Sequence, residues 1–188
     1  MELFKILQDI VNLDSQHIEE IGALIDIKNF KKNETFLKKG APCTTIGFVI
    51  EGSFRFVIDS NGNERTFDFS VKNDFLSDYY GILKSQPASF DIIANHSSKV
   101  ALLPTAVVFE LFDKDMTYQK IGRTIAENEF CKHHERLTSL MYDSPQKRYE
   151  GLLATMPDSA LRLPQHLLAN YLGITKETLS RIRSKIVR

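Results

Sequence analysis

The sequence predicts an α+β chain in which N-terminal helices precede a β-rich sandwich or barrel, a long helix and a terminal helix-turn-helix. Three observations predict it. Between about Lys28 and Leu103, Gly, Asn and Pro punctuate short β-prone runs. From about Met116 to Tyr142 the apolar pattern is helical throughout. From Gln165 to Lys185 two short apolar sets flank a single glycine, Gly173.

The start places Leu3, Phe4, Leu7, Ile10 and Val11 at helical spacing. Glu2 and Asp9, with no basic region ahead of them, make it an amphipathic helix and not a secretion signal. A second helix follows Asp14 or Ser15 as N-cap and turns Ile18, Ile21, Leu24 and Ile25 inward. Strands are expected at Thr35–Lys38, Thr45–Glu51, Ser53–Asp59, Arg65–Ser70, Phe90–Ala94 and Lys99–Leu103. The pair Asn61-Gly62 between two alternating runs signals a hairpin, because both residues accept the positive φ of a tight turn. Several short strands so spaced indicate a sandwich or barrel.

A short helix is expected at Ala106–Phe112, then the long one. Within the long helix Ala126, Phe130, His133, Leu137 and Leu140 recur at alternating steps of four and three, the spacing of a coiled-coil seam. Two copies of the chain would meet there. The blander reading is a two-sided amphipathic helix in a monomer. Ile121 and Ile125 lie off the seam and are directed at the β module. Asp143-Ser144-Pro145 then breaks the helix, with Ser144 as N-cap and Pro145 at the first helical position of the next. The expected domains are therefore a β sensor with its dimerisation helix (about 115–142) over residues 1–143, and a helix-turn-helix over 144–188.

In the last segment Leu168, Leu172, Ile174, Leu179 and Ile182 are apolar, Ala169 is small, and Gly173 stands at the turn. Two helices crossing steeply through a short turn need a small residue at the contact and a left-handed residue ending the first helix. Thr175 can cap the second. With Leu179 and Ile182 inward, Lys176, Glu177, Ser180 and Arg181 face outward near that helix's N-terminus, the end that enters a major groove. Arg181 has the fork geometry for a guanine edge, and Glu177 can accept from a cytosine amino group. Lys176, Arg183 and Lys185 suit phosphates. The candidate DNA-binding set is thus Lys176, Glu177, Thr178, Ser180, Arg181, Arg183 and Lys185.

Charge distribution agrees. The chain is balanced at 24 basic and 24 acidic residues, yet from Ser144 onward eight Lys or Arg oppose three acids. That tail is +5 and the preceding residues carry −5, which places a polyanionic partner at the C-terminal end. No apolar run approaches the roughly 18 residues of a membrane-spanning helix. Two cysteines are too few for a four-thiolate iron–sulfur cluster. Cys131, His134 and Glu135 share a helical face, read as solvated. No phosphate-binding, dinucleotide-binding, zinc-protease or serine-hydrolase motif occurs, so no enzyme is expected. A cytoplasmic address follows by default.

Lys39-Gly40, Val49-Ile50-Glu51-Gly52-Ser53 and Thr175-Lys176-Glu177-Thr178-Leu179-Ser180-Arg181-Ile182 carry a resemblance spanning essentially the whole chain. It resembles the catabolite activator/fumarate–nitrate regulator (Crp/Fnr) superfamily. That resemblance implies a cyclic-nucleotide-binding-type β-roll (jelly-roll-like), a long dimerisation helix and a C-terminal helix-turn-helix. It also implies a homodimer on double-stranded DNA, with RNA polymerase as a further partner. Base contacts are carried over to Lys176, Glu177 and Arg181. Relatives often continue into a β-hairpin wing, whereas six residues follow Ile182 here, so a trimmed DNA-binding module is expected. The family's ligand pocket falls on Ser77, Asp78, Tyr79, Ala88 and Ser89. Asp78 stands for the ribose-binding Glu and Ser89 matches, but Ala88 replaces the Arg that grips the cyclic phosphate. A buried phosphate without a partner costs several kcal/mol. Cyclic AMP and cyclic GMP are therefore not expected to bind, no cofactor is expected, and any effector would be another small molecule. The rival reading is a sensing or interaction module of the same fold that no longer binds specific DNA.

Overall fold

Alternating side chains between Asp26 and Pro104 build two four-stranded antiparallel sheets. The computed structural model describes residues 2–11, 13–60, 62–155 and 163–186. Sheet one has the order β1 (Asp26–Phe30), β8 (Ser98–Pro104), β3 (Thr45–Glu51), β6 (Phe75–Leu76). Sheet two runs β2 (Thr35–Leu37), β7 (Asp91–Ala94), β4 (Ser53–Ser60), β5 (Asn63–Val71). This is the expected jelly-roll-like β-roll.

The hairpin falls where Asn61-Gly62 places it: Ser60 pairs with Asn63, and Gly62 has φ +79°. Asn61 itself lies outside the described residues, as do Asp158, Arg162 and Arg188 of the charged tail. A second tight turn joins β3 to β4 at Gly52. Its φ is +97°, and a Cβ there would sit 2.1 Å from Ser98 Oγ, so only glycine fits.

Sheet one is covered on both faces, which is why Ile46 to Ile50 reads as a near-continuous apolar run. Val49 and Val100, paired across β3 and β8, point into the roll with Phe30, Phe54, Leu76 and Ile92. Phe48 and Ala101, the adjacent pair, point outward onto the helices. There α1 (Glu2–Ile10) and α2 (Ser15–Leu24) bring Leu3, Leu7 and Ile21, and α4 (Thr105–Lys114) brings Leu111. Asp14 caps α2 by accepting the His17 N–H at 3.0 Å. Strand β1 and the six-residue helix α3 (Tyr79–Lys84) lie outside the predicted elements. Four of the five β1 residues are exposed, so no alternation marks the strand. Helix α3 is too short for periodicity and is held by the Asp78 carboxylate accepting the Gly81 N–H at 2.9 Å.

Helix α5 spans Met116–Tyr142, the predicted bounds. Its first half is anchored: Tyr118 and Ile121 are buried, and Tyr118 Oη donates to Glu20 Oε2 at 2.8 Å. Burial and the carboxylate of Glu20 push that phenol far up. Glu20 also pairs with Lys114. The second half stands free of the core. Helix α6 (Pro145–Thr155) begins at the expected break, where Ser144 Oγ accepts the Lys147 N–H at 3.3 Å.

Candidate nucleic-acid interface

A third core assembles the C-terminal helices. Tyr149 and Leu152 of α6 pack against Leu168, Ala169 and Leu172 of α7 (Gln165–Leu172), and against Leu179 and Ile182 of α8 (Lys176–Ile186). Leu179 is wholly inaccessible and Ala169 nearly so. The small side chain at 169 lets the two helices approach. Gly173 ends α7 at φ 65°, ψ 35°, a left-handed conformation that any Cβ strains. Ile174 N–H then donates back to Ala169 O at 3.0 Å, the helix-ending pattern such a cap allows. Thr175 Oγ1 accepts the Thr178 N–H at 3.2 Å and caps α8.

With Leu179 and Ile182 fixed inward, the other face of α8 is set by helix geometry. Lys176, Glu177, Ser180, Arg181 and Lys185 are exposed, while Thr178 and Arg183 are half-buried. Glu177 and Arg181 lie one turn apart, and Arg181 Nε donates to the Glu177 carbonyl at 3.4 Å. Glu177 sits in the first helical turn. Its own backbone N–H, the Thr175 hydroxyl and the nearby Lys176 and Arg181 hold its carboxyl below the usual range, so it is ionised at neutral pH. Among the described residues, none of Lys176, Arg181, Arg183 and Lys185 forms an ion pair.

Other basic residues of the tail are spent internally. Arg148 donates from Nε to the Leu172 carbonyl at 2.9 Å and from Nη1 to the Asp143 carbonyl at 2.7 Å. Lys147 pairs with Asp143 at 2.6 Å. Counting charges in the sequence missed this division, since backbone carbonyls carry no sequence signal.

The helical pair docks on the roll. Phe69 of β5 belongs to the third core and meets the Tyr171 ring at 5.3 Å. Arg136 of α5 donates to the carbonyls of Phe67 at 2.6 Å and Tyr171 at 2.9 Å. Sequence patterns singled out neither residue.

On the seam face of α5, Phe130 is 71% exposed and Leu137 59%, with Leu140 at 37%. Ala126 is half-buried and His133 exposed. His133 Nδ1 is 3.7 Å from Asp68 Oδ2 of β5. Leu140 reaches the turn, its Cδ2 lying 3.5 Å from where a Cβ on Gly173 would stand. Ile121 is buried and Ile125 half-buried, as their off-seam position required. Cys131, His134 and Glu135 are all exposed.

The five candidate pocket residues separate into two groups. Asp78, Ala88 and Ser89 come together at the end of the roll, where Asp78 and Ala88 are buried. Asp78 Oδ2 accepts both the Ser89 N–H at 3.1 Å and its hydroxyl at 3.4 Å, while Oδ1 caps α3. Ser77 and Tyr79 instead line a cavity on the outer face of sheet one. The roll interior itself is filled by Phe30, Phe36 and Phe54, whose ring centroids lie 5.5–6.3 Å apart.

The described residues thus form a β-roll, a long helix whose second half leaves the apolar core, and a helical pair docked against both. Residues 27–115 match the cyclic nucleotide-binding domain family. The chain is similar to the anaerobic regulatory protein of Pasteurella multocida, at 22% identity over 93% of this chain and 68% of the relative. Among solved structures it is similar to FixK2 from Bradyrhizobium japonicum, with a TM-score of 0.75 and 19% identity over 86% of this chain and 84% of the other. A structure from Eubacterium rectale assigned to the Crp/Fnr family aligns with a TM-score of 0.69 and 17% identity, over 91% and 82% of the two chains. Residues 27–115 thus carry a cyclic nucleotide-binding domain, and the chain as a whole is similar to Crp/Fnr-type transcription regulators.

Proposed function

We propose that this protein is a sequence-specific DNA-binding regulator that acts as a homodimer, with residues 1–143 as sensor and 144–188 as reader. Helix α8 enters the major groove by its N-terminal end. The observation that carries this reading is the pair Glu177 and Arg181 on the exposed face of a helix whose opposite face is locked by Leu179 and Ile182. An ionised acid facing phosphates would be repelled, so Glu177 reads a base, accepting from a cytosine amino group. Arg181 reads a guanine. Lys176, Arg183 and Lys185 hold phosphates, with Thr178 and Ser180 beside them.

The exposed stripe Phe130, Leu137 and Leu140 supports pairing of two α5 helices, with Ala126 and His133 completing the seam. Leu140 abuts the turn at Gly173, so the pairing also fixes the spacing of the two readers. The Asp78 carboxylate occupies the hydrogen-bond donors that an anionic ligand would need, which supports a chain that does not answer to cyclic nucleotides. RNA polymerase is the partner through which such a regulator would act, and the cytoplasm is where it would meet DNA.

Selection of bound sequences from a random duplex pool tests the reading. It should yield two inverted half-sites with centres about one helical turn, roughly 34 Å, apart. A pool that returns no common sequence would contradict it.

A further inference from the structure

Outside the roll, the helical cover of sheet one does not close. A cavity of about 160 Å³ remains between α1, the outward faces of β3 and β8, and the first half of α5. Among the described residues, no Asp, Glu, Lys, Arg or His lines it. Tyr118 is part of the wall, but its hydroxyl is engaged by Glu20. The remaining side-chain hydroxyls of the lining are those of Ser77 and Tyr79.

We propose that this cavity is a binding site for a small uncharged apolar molecule about the size of one aromatic ring. Size and chemistry both select that class. Close-packed interiors keep few voids larger than a water molecule. An apolar cavity of about 150 Å³ stays dry and takes up benzene. Cofactor-sized sites need roughly 300–1,000 Å³, so a nucleotide is too large. A phosphate would also be buried here without a partner.

The void is not general looseness. At Gly122 the α4 and α5 helices are in such close contact that a Cβ would lie 2.3 Å from the Phe112 ring. The cavity lies on the other side of sheet one from the roll interior, and of the five positions matched to the family's ligand pocket it includes Ser77 and Tyr79 but not Asp78, Ala88 or Ser89. Its α5 wall includes Ile121, Ile125 and Ala126, and Ala126 begins the exposed stripe of that helix. An occupant therefore presses on the segment that leads into the seam.

Benzene is the probe. The full-length protein, with its Ile and Leu methyls labelled, is titrated with benzene and followed by NMR. Saturable shifts should appear at Leu3, Leu7, Ile121 and Ile125, accompanied by a rise in the unfolding midpoint. Val108→Phe on α4, or Ala101→Leu on β8, fills the space and should weaken binding at least tenfold. Absence of saturable shifts up to the solubility limit of benzene would overturn the proposal, and so would shifts confined to other methyls. Binding that survives both folded variants would overturn it too. No DNA enters this experiment, so its failure is distinct from failure of the reader assignment.

Discussion

The guanidinium of Arg136 lies 3.6 Å over the ring of Tyr171, and the same side chain donates to the Tyr171 carbonyl at 2.9 Å. One residue of the long helix thus holds α7, the first helix of the helix-turn-helix, twice. Its third bond, to the Phe67 carbonyl, ties both to the β4–β5 hairpin. A charged hydrogen bond is worth about 1.5–3 kcal/mol and a cation–π contact about 0.5–2 kcal/mol. Arg136→Ala should therefore cost about 2–4 kcal/mol of docking. Calorimetry should show one melting transition splitting into two as the reader comes away from the roll. Arg136→Lys should rescue little, because a single ammonium cannot serve two carbonyls and a ring.

The apolar stripe of α5 predicts an association that charge will break. Phe130→Asp with Leu137→Asp should turn a dimer into a monomer at micromolar concentration in sedimentation equilibrium. Circular dichroism should stay unchanged, since both side chains are exposed in the single chain. A wild-type protein that sediments as a monomer would remove the seam from the account.

Asp68 gives the docked state a pH dependence. Burial pushes its carboxyl above the ordinary range, outweighing the Phe69 N–H at 2.9 Å and the charges of Arg136 and His133; Asp74 acts in the same direction as burial. The sign follows. An acid with a raised folded-state pKa holds its proton longer folded than unfolded, so stability falls as pH rises from about 4, the free Asp value, through the raised one. Above that window the destabilisation is complete. Asp68→Asn should flatten this decline in urea unfolding and leave the protein more stable at neutral pH. A steeper decline in the variant would contradict the assignment.

Cyclic nucleotides should fail to bind. The Asp78 oxygens already take the Gly81 N–H and both donors of Ser89, and Ala88 supplies no cation. Titration calorimetry with cyclic AMP or cyclic GMP should show no sub-micromolar site. An Ala88→Arg variant alone should not create one, since the Asp78 carboxylate still holds both donors of Ser89.

Elements governed by local pattern were legible in the sequence. The bounds of α5, the Asn61-Gly62 hairpin, the Gly173 turn and the Thr175 cap all follow from periodicity or from one residue's backbone preference. So does the outward face of α8, because Leu179 and Ile182 fix its rotation. What escaped depends on distant partners. Strand β6 has two residues and exists because Gly47 and Phe48 pair with it. The roles of Arg136 and Arg148 rest on backbone carbonyls, which no residue spacing marks. Asp78 matched a family position by type, yet its carboxylate is satisfied by the chain itself, a fact of geometry that no spacing encodes.

The central claim is that α8 reads bases through its outer face, and two variants test it most directly. On the selected duplex and on single-base variants of it, Arg181→Ala should lose about 1–3 kcal/mol and its preference at one position of each half-site. Lys185→Ala should weaken every sequence alike and lower the salt slope by about one. If Arg181→Ala instead bound all duplexes with the preferences of the wild type, the helix would be gripping backbone alone and the account would be wrong.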